Sequence, residues 1–174
     1  MESELTRPIA VLWWTMCVAW AGLVFYLSTE AFGPNLSRAL LAWAFDLLRL
    51  PVSWHTFRLL HDSLRGAAHV IEYAIFALFL YGLPVETSRG LWRPRRALFC
   101  IVFAAAYALS DEFHQLFVPG RHASLFDCGL DASGAALAML LPYTQGWMAR
   151  LKANHAHCNS YCDVEDEIAS RTKG

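Results

Sequence analysis

Eight residues able to do chemistry sit inside stretches that are otherwise apolar: His69 and Glu72, then Asp111, Glu112, His114 and Gln115, then Asp127 and Asp131. An imidazole or carboxylate shielded from water can move protons as a general acid or base. On that ground His69, Glu72 and Glu112 are the candidates for catalysis. Asp111, His114, Gln115, Asp127 and Asp131, with Arg121 just before the last stretch, are the candidates for holding a polar ligand. Arg121 supplies a cation whose planar fork matches carboxylates and phosphates. Ionisable groups at membrane depth cost roughly 2.5–3.5 kcal/mol each on insertion scales, so the default expectation is a functional site with partners.

The elements that must position these residues follow from apolar run lengths. The chain has 174 residues, of which 56% are hydrophobic and 17% charged, with a mean hydropathy of +0.33. A soluble domain has about 45–50% apolar and 25% charged residues. Seven Trp and eleven Phe suit aromatic belts at membrane interfaces. The net charge of −1 gives no basis for nucleic-acid binding. Ile9–Leu27 is an uncharged run of about 19 residues, long enough to cross a bilayer. Its length and its Trp13, Trp14 and Trp20 favour a retained span over a signal peptide. Gly66–Leu83 gives a second span, ended by Pro84. From Ala97 to Leu109 the uncharged run is only about 13 residues, too short to cross. The helix therefore has to continue through Asp111, Glu112 and His114 to Phe117. Ser124–Pro142 completes the set. Between the first two spans, Leu36, Leu40, Leu41, Ala44, Leu47 and Leu48 have helical spacing among charges. They predict an amphipathic interfacial helix, broken at Pro51 and followed by a short second piece at Trp54–Leu60.

The expected fold is thus all-α and polytopic. It has four transmembrane helices, at about 9–28, 66–83, 97–118 and 124–142, plus the interfacial helix. The membrane domain covers residues 1–150, and 151–174 is a polar tail. His155, His157, Cys158 and Cys162 in that tail fit no standard zinc spacing, and neither a metal nor a cofactor is expected. Alternating spans bring the start of the second, the end of the third and the start of the fourth to one face. The short loop with Arg89, Arg93, Arg95 and Arg96 belongs in the cytoplasm. Both termini are then cytoplasmic and the polar cluster faces outward.

Asp62, Arg65, His69 and Glu72 fall on one helix face at steps of three and four. Ser124, Asp127, Asp131, Gly134 and Ala138 form another stripe, where Gly134 and Ala138 permit close helix approach. Arg121 is expected to pair with Glu112, Asp127 or Asp131. Asp127, three residues after Ser124, also has the spacing of a capping box and would then simply close the helix start.

Phe25-Tyr26-Leu27-Ser28, His69-Val70-Ile71-Glu72-Tyr73 and the run Ser110–Arg121, with Asp127, Asp131 and Gly134, resemble the VanZ-like family of small bacterial membrane proteins. Asp111-Glu112-x-x-Gln115-x-x-x-Pro119-x-Arg121 is the specific part. The resemblance implies four spans in the bacterial inner membrane and, through the founding member, a link to teicoplanin-type glycopeptide resistance. It implies no catalytic mechanism. Three functions remain open. The outward pocket binds a membrane lipid headgroup or a lipid-linked cell-wall intermediate; the protein is a structural subunit of a larger membrane complex; or it is a metal-assisted enzyme acting on lipid-linked phosphate.

Overall fold

The computed structural model describes residues 2–29, 34–82, 92–119 and 123–154, without the side chains of residues 2–9 and 34. Its helices are α1 (Glu2–Leu27), α2 (Pro34–Leu47), α3 (Trp54–Tyr81), α4 (Pro94–Gln115) and α5 (Leu125–Ala138). After a turn at Met139, α5 resumes, so the last helical segment is Leu125–Asn154. There is no strand among the described residues. Among the described residues four helices are long and apolar enough to cross a membrane: Ala10–Leu27, Trp54–Tyr81, Pro94–Gln115 and Leu125–Asn154.

Local chemistry explains the helix ends. The Ser53 hydroxyl accepts from the Thr56 N–H at 3.2 Å and starts α3. Gly82 ends it at φ 66°, its N–H reaching Leu78 O and Phe79 O, a left-handed cap that glycine adopts without Cβ strain. Pro94 opens α4, where its missing N–H has no partner to lose. The helix continues through Ser110 to Gln115, as the short uncharged run required. The separate piece expected at Trp54–Leu60 does not exist: those residues are the first turns of the continuous α3. The break at Pro51 is real, but Ser53 restarts the helix immediately after it.

Val11, Val18, Leu98, Val102, Leu137 and Leu140 all point outward and are more than half exposed. A soluble fold would have to hide such a surface; hydrocarbon covers it at no cost. Inside, small residues line the seams, with Ala77, Cys100, Ala104, Ala108 and Ala135 at 0% exposure.

Pairwise contacts show the helix directions. The indole N–H groups of Trp13 and Trp20 donate to Phe79 O at 2.8 Å and Glu72 O at 3.0 Å, so α1 and α3 run antiparallel. Phe76 meets Phe103 and Tyr107, and Tyr73 also meets Tyr107, which makes α3 and α4 antiparallel. Arg65 meets Asp127 and His69 meets Asp131; the offset is constant, so α3 and α5 run parallel. At their crossing, a Cβ on Gly134 would lie 2.2 Å from Val70 O. Backbone touches backbone there, which only glycine permits.

The ends of α1 and α4 and the starts of α5 thus share one level with Arg65 of α3. From Arg65 to Tyr81 the helix rises roughly 24 Å at 1.5 Å per residue, about the depth of a hydrocarbon core. Beyond that level the first turns of α3 form an antiparallel hairpin with α2, through Ser37–His61 and Phe45–Phe57. The opposite end carries Arg93, Arg95 and Arg96, with Arg96 over the Tyr81 ring.

Candidate functional site: a polar layer behind an amphiphilic cavity

Asp111, Glu112, Gln115 and Asp131 are each at most 5% exposed. They belong to a layer built from paired groups on different helices. Ser28, just past α1, donates to Asp111 Oδ2. Gln115 Nε2 donates to the same oxygen at 3.1 Å and to Ser28 Oγ at 3.4 Å. Asp111 and Gln115 are one turn apart on α4, so a single acceptor ties α1 to α4. Asp111→Ala leaves the Ser28 hydroxyl and Gln115 amide buried without it, at about 1–3 kcal/mol for each unsatisfied group. Denaturation of the purified variant in detergent reads this loss, and wild-type stability would show that the network does not hold α1.

Glu112 turns towards α5. Its Oε2 accepts the Ser124 N–H at 2.6 Å, placing a carboxylate at the positive end of the helix. The capping box expected at Ser124 and Asp127 is therefore half formed. Ser124 Oγ accepts the Asp127 N–H at 3.3 Å, but Glu112 has taken the position of the reciprocal carboxylate. Asp127 is free to reach α3 instead, and meets Arg65 Nη2 at 2.6 Å. One turn deeper, His69 Nδ1 and Asp131 Oδ1 lie 3.0 Å apart. The cation found beside Asp127 is thus Arg65; Arg121, for which this place was expected, lies outside the described residues, as do residues 155–174 with the tail histidines and cysteines. His114 is not in the paired layer. Its ring packs on Phe25 with centroids 4.7 Å apart.

In front of this layer lies a cavity of about 490 Å³ between the end of α1, α2 and α3, a size suited to a small ligand. Its polar side is Ser28, Arg65, His69 and Glu72, with His61 and Ser37 above them. Leu27, Leu40, Leu41, Ala44, Leu64 and Ala68 form the rest of the wall. The eight candidates therefore divide. His69 and Glu72 face the cavity; Asp111, Glu112, Gln115, Asp127 and Asp131 do not line it, and each of these five is bonded to a group on, or at the end of, a neighbouring helix. Gln115 joins the Ser28–Asp111 bond. Sequence reasoning missed His61 and Ser37, joined at 2.8 Å. The signal for His61 was its place four residues before Arg65 and eight before His69, on the face already read as functional. Among the described residues no three His, Cys, Asp or Glu side chains converge as a metal site.

An all-helical bundle with an inside-out surface, four helices able to span and buried charge at one end defines a multi-pass membrane protein. The chain belongs to the VanZ/LLP1 family, whose model matches residues 13–146, a stretch that contains every paired group described above. No curated protein and no solved structure matches the chain.

Proposed function

We propose that the cavity binds the phosphate-bearing headgroup of a membrane amphiphile, either a lipid or a lipid-linked cell-wall intermediate, on the outer side of the bacterial inner membrane. The observation that carries this is the division of the cavity wall. Arg65, His69 and Glu72 form its polar side, while Leu40, Leu41 and Leu64 offer a surface for hydrocarbon. Arg65 spends one N–H on Asp127 and is about a third exposed. A guanidinium has five donors, so most remain for a phosphate. Arg93, Arg95 and Arg96 at the far end support a cytoplasmic position for that end, with both termini on the same side and the cavity outward. Envelope lipids bound there would connect the protein to glycopeptide response, as with the founding member of its family.

The same groups also join α3 to α5, so a purely structural role, as in a subunit of a larger complex, must be separated experimentally. Arg65→Gln removes the phosphate ligand, whereas Asp127→Asn weakens the same helix contact but leaves the guanidinium. Native mass spectrometry of protein extracted from bacterial membranes is expected to show bound phospholipid on wild type and Asp127→Asn, and at least a tenfold loss on Arg65→Gln. That loss corresponds to about 1.4 kcal/mol of binding. Equal lipid retention by both variants would leave only the structural role. Glycopeptide sensitivity of cells expressing each variant gives the matching phenotype.

A further inference from the structure

Resting on that binding reading, we propose that the cavity is also a hydrolytic active site, in which His69 activates water against a phosphate ester or anhydride of the bound amphiphile. The two imidazoles on α3, His61 buried and His69 partly buried, make the contrast that suggests it. His61 has both ring nitrogens engaged, Nε2 with Ser37 and Nδ1 with Asp62 at 3.2 Å. That is how a histidine is held when its work is to pack. His69 has only Nδ1 engaged, with Asp131, and it lines the cavity. Among the described residues its Nε2 has no partner.

Asp131, at 2% exposure, fixes the chemistry of that free nitrogen. With Asp131 ionised and the ring neutral, the carboxylate can only accept, and Nδ1 then carries the ring proton and donates it to Asp131 Oδ1. Nε2 then presents a lone pair to the cavity in a fixed ring orientation, the arrangement of a general base held by a buried acid. Asp131 is a positioning residue; His69 is the catalytic one. Arg65 lies one turn earlier on the same helix face and lines the same cavity, where its fork matches the non-bridging oxygens of a phosphoryl group. A carboxyl ester would give this cation no anionic group to hold, which is why the geometry favours phosphate.

The step balances without any further reactant. Water attacks phosphorus, and one of its protons passes to Nε2. The bond from phosphorus to the leaving oxygen breaks with its electron pair on oxygen. Nε2 then returns the proton to that oxygen. The products are a phosphate-bearing fragment and an alcohol, or two phosphates where the bond broken is an anhydride.

The test uses full-length protein in phosphatidylglycerol vesicles carrying a polyprenyl diphosphate, followed by phosphorus NMR. Wild type is expected to convert the phosphorus signals of one of these two lipids into those of product. His69→Ala and His69→Gln should lower kcat by about 10²–10⁴-fold, the usual weight of a general base, a loss far larger than any accompanying change in KM or lipid retention. Added imidazole should restore part of the rate to His69→Ala, a response that a packing role would not give. Asp131→Asn should lower kcat at constant KM, and Asp131→Glu should recover some of it. Wild-type protein that retains lipid but leaves the phosphorus signals of both lipids intact overturns the hydrolytic proposal alone. Loss of lipid retention in wild type overturns the binding reading with it. Appearance of lysophospholipid shows a carboxyl ester as the bond broken and overturns the assignment to phosphate. Undiminished turnover in folded His69→Ala removes His69 from the reaction.

Discussion

Gly134→Ala is expected to be among the most damaging single-methyl changes in this bundle. The added Cβ would sit 2.2 Å from Val70 O and 2.9 Å from its carbonyl carbon and Cα. None of these atoms belongs to a side chain that could rotate away, so α3 and α5 must separate. Overpacking usually costs about 1–3 kcal/mol and occasionally more; the upper end applies where backbone meets backbone. Separation would also lengthen the His69–Asp131 and Arg65–Asp127 contacts one and two turns away. Gly129, on the same helix, is the control. A Cβ there meets nothing within 4 Å, and alanine should stabilise the helix by up to about 1 kcal/mol through its greater propensity. Melting temperatures of the two variants in one detergent decide the matter. If both move in the same direction, the crossing is not as close as Gly134 makes it.

Arg65→Leu is expected to follow, for an electrostatic reason. The Asp127 side chain is 15% exposed and its Arg65 partner 33%. Removing the arginine leaves a largely shielded carboxylate without its cation. The loss of a fully buried partner costs about 3–5 kcal/mol, and the exposure of Arg65 places this site below that range. Adding Asp127→Leu should recover most of the loss, since an apolar pair often replaces an ion pair at little net cost. A small deficit should persist, about 0.3–1 kcal/mol, because Asp127 also lies in the first turn of α5, where negative charge meets the helix dipole. A full double-mutant cycle measures the coupling. Additive losses, with no recovery in the double variant, would show that the two side chains do not depend on each other.

Much of this architecture was legible because the bilayer imposes lengths. The uncharged run of about 13 residues from Ala97, too short to cross, required α4 to carry Asp111 and Glu112 into the bundle, and α4 does run to Gln115. Alternation of the spans then brought the charged ends together. What periodicity does not encode is which acid meets which base. The sequence pointed to Arg121 as a cation for Asp127, whereas Arg65 is the one found beside it; that pairing depends on helix rotation, which the close approach at Gly134 governs. The continuity of α3 was hidden for a related reason. His55, Arg58 and Asp62 resemble the surface of a separate piece, whereas they are polar positions on a helix that rises past the bundle to meet α2. Glu112 read as a reacting group because buried carboxylates often are; its bond to the Ser124 N–H is the type of contact that depends on a turn whose path sequence pattern does not specify.

The two rungs between α3 and α5 share an offset, and that has a mechanical consequence. A ladder whose steps repeat every four residues is ambiguous: sliding α5 by one turn would set Asp131 opposite Arg65 and still satisfy the charge. Glycine removes the ambiguity. In the shifted position Val70 would face Ala138 in place of Gly134, and the methyl group would occupy the space now taken by the Val70 carbonyl. Charge therefore supplies a coarse scale and the missing Cβ the single mark on it, so that two helices held by repeating contacts have one place to stop.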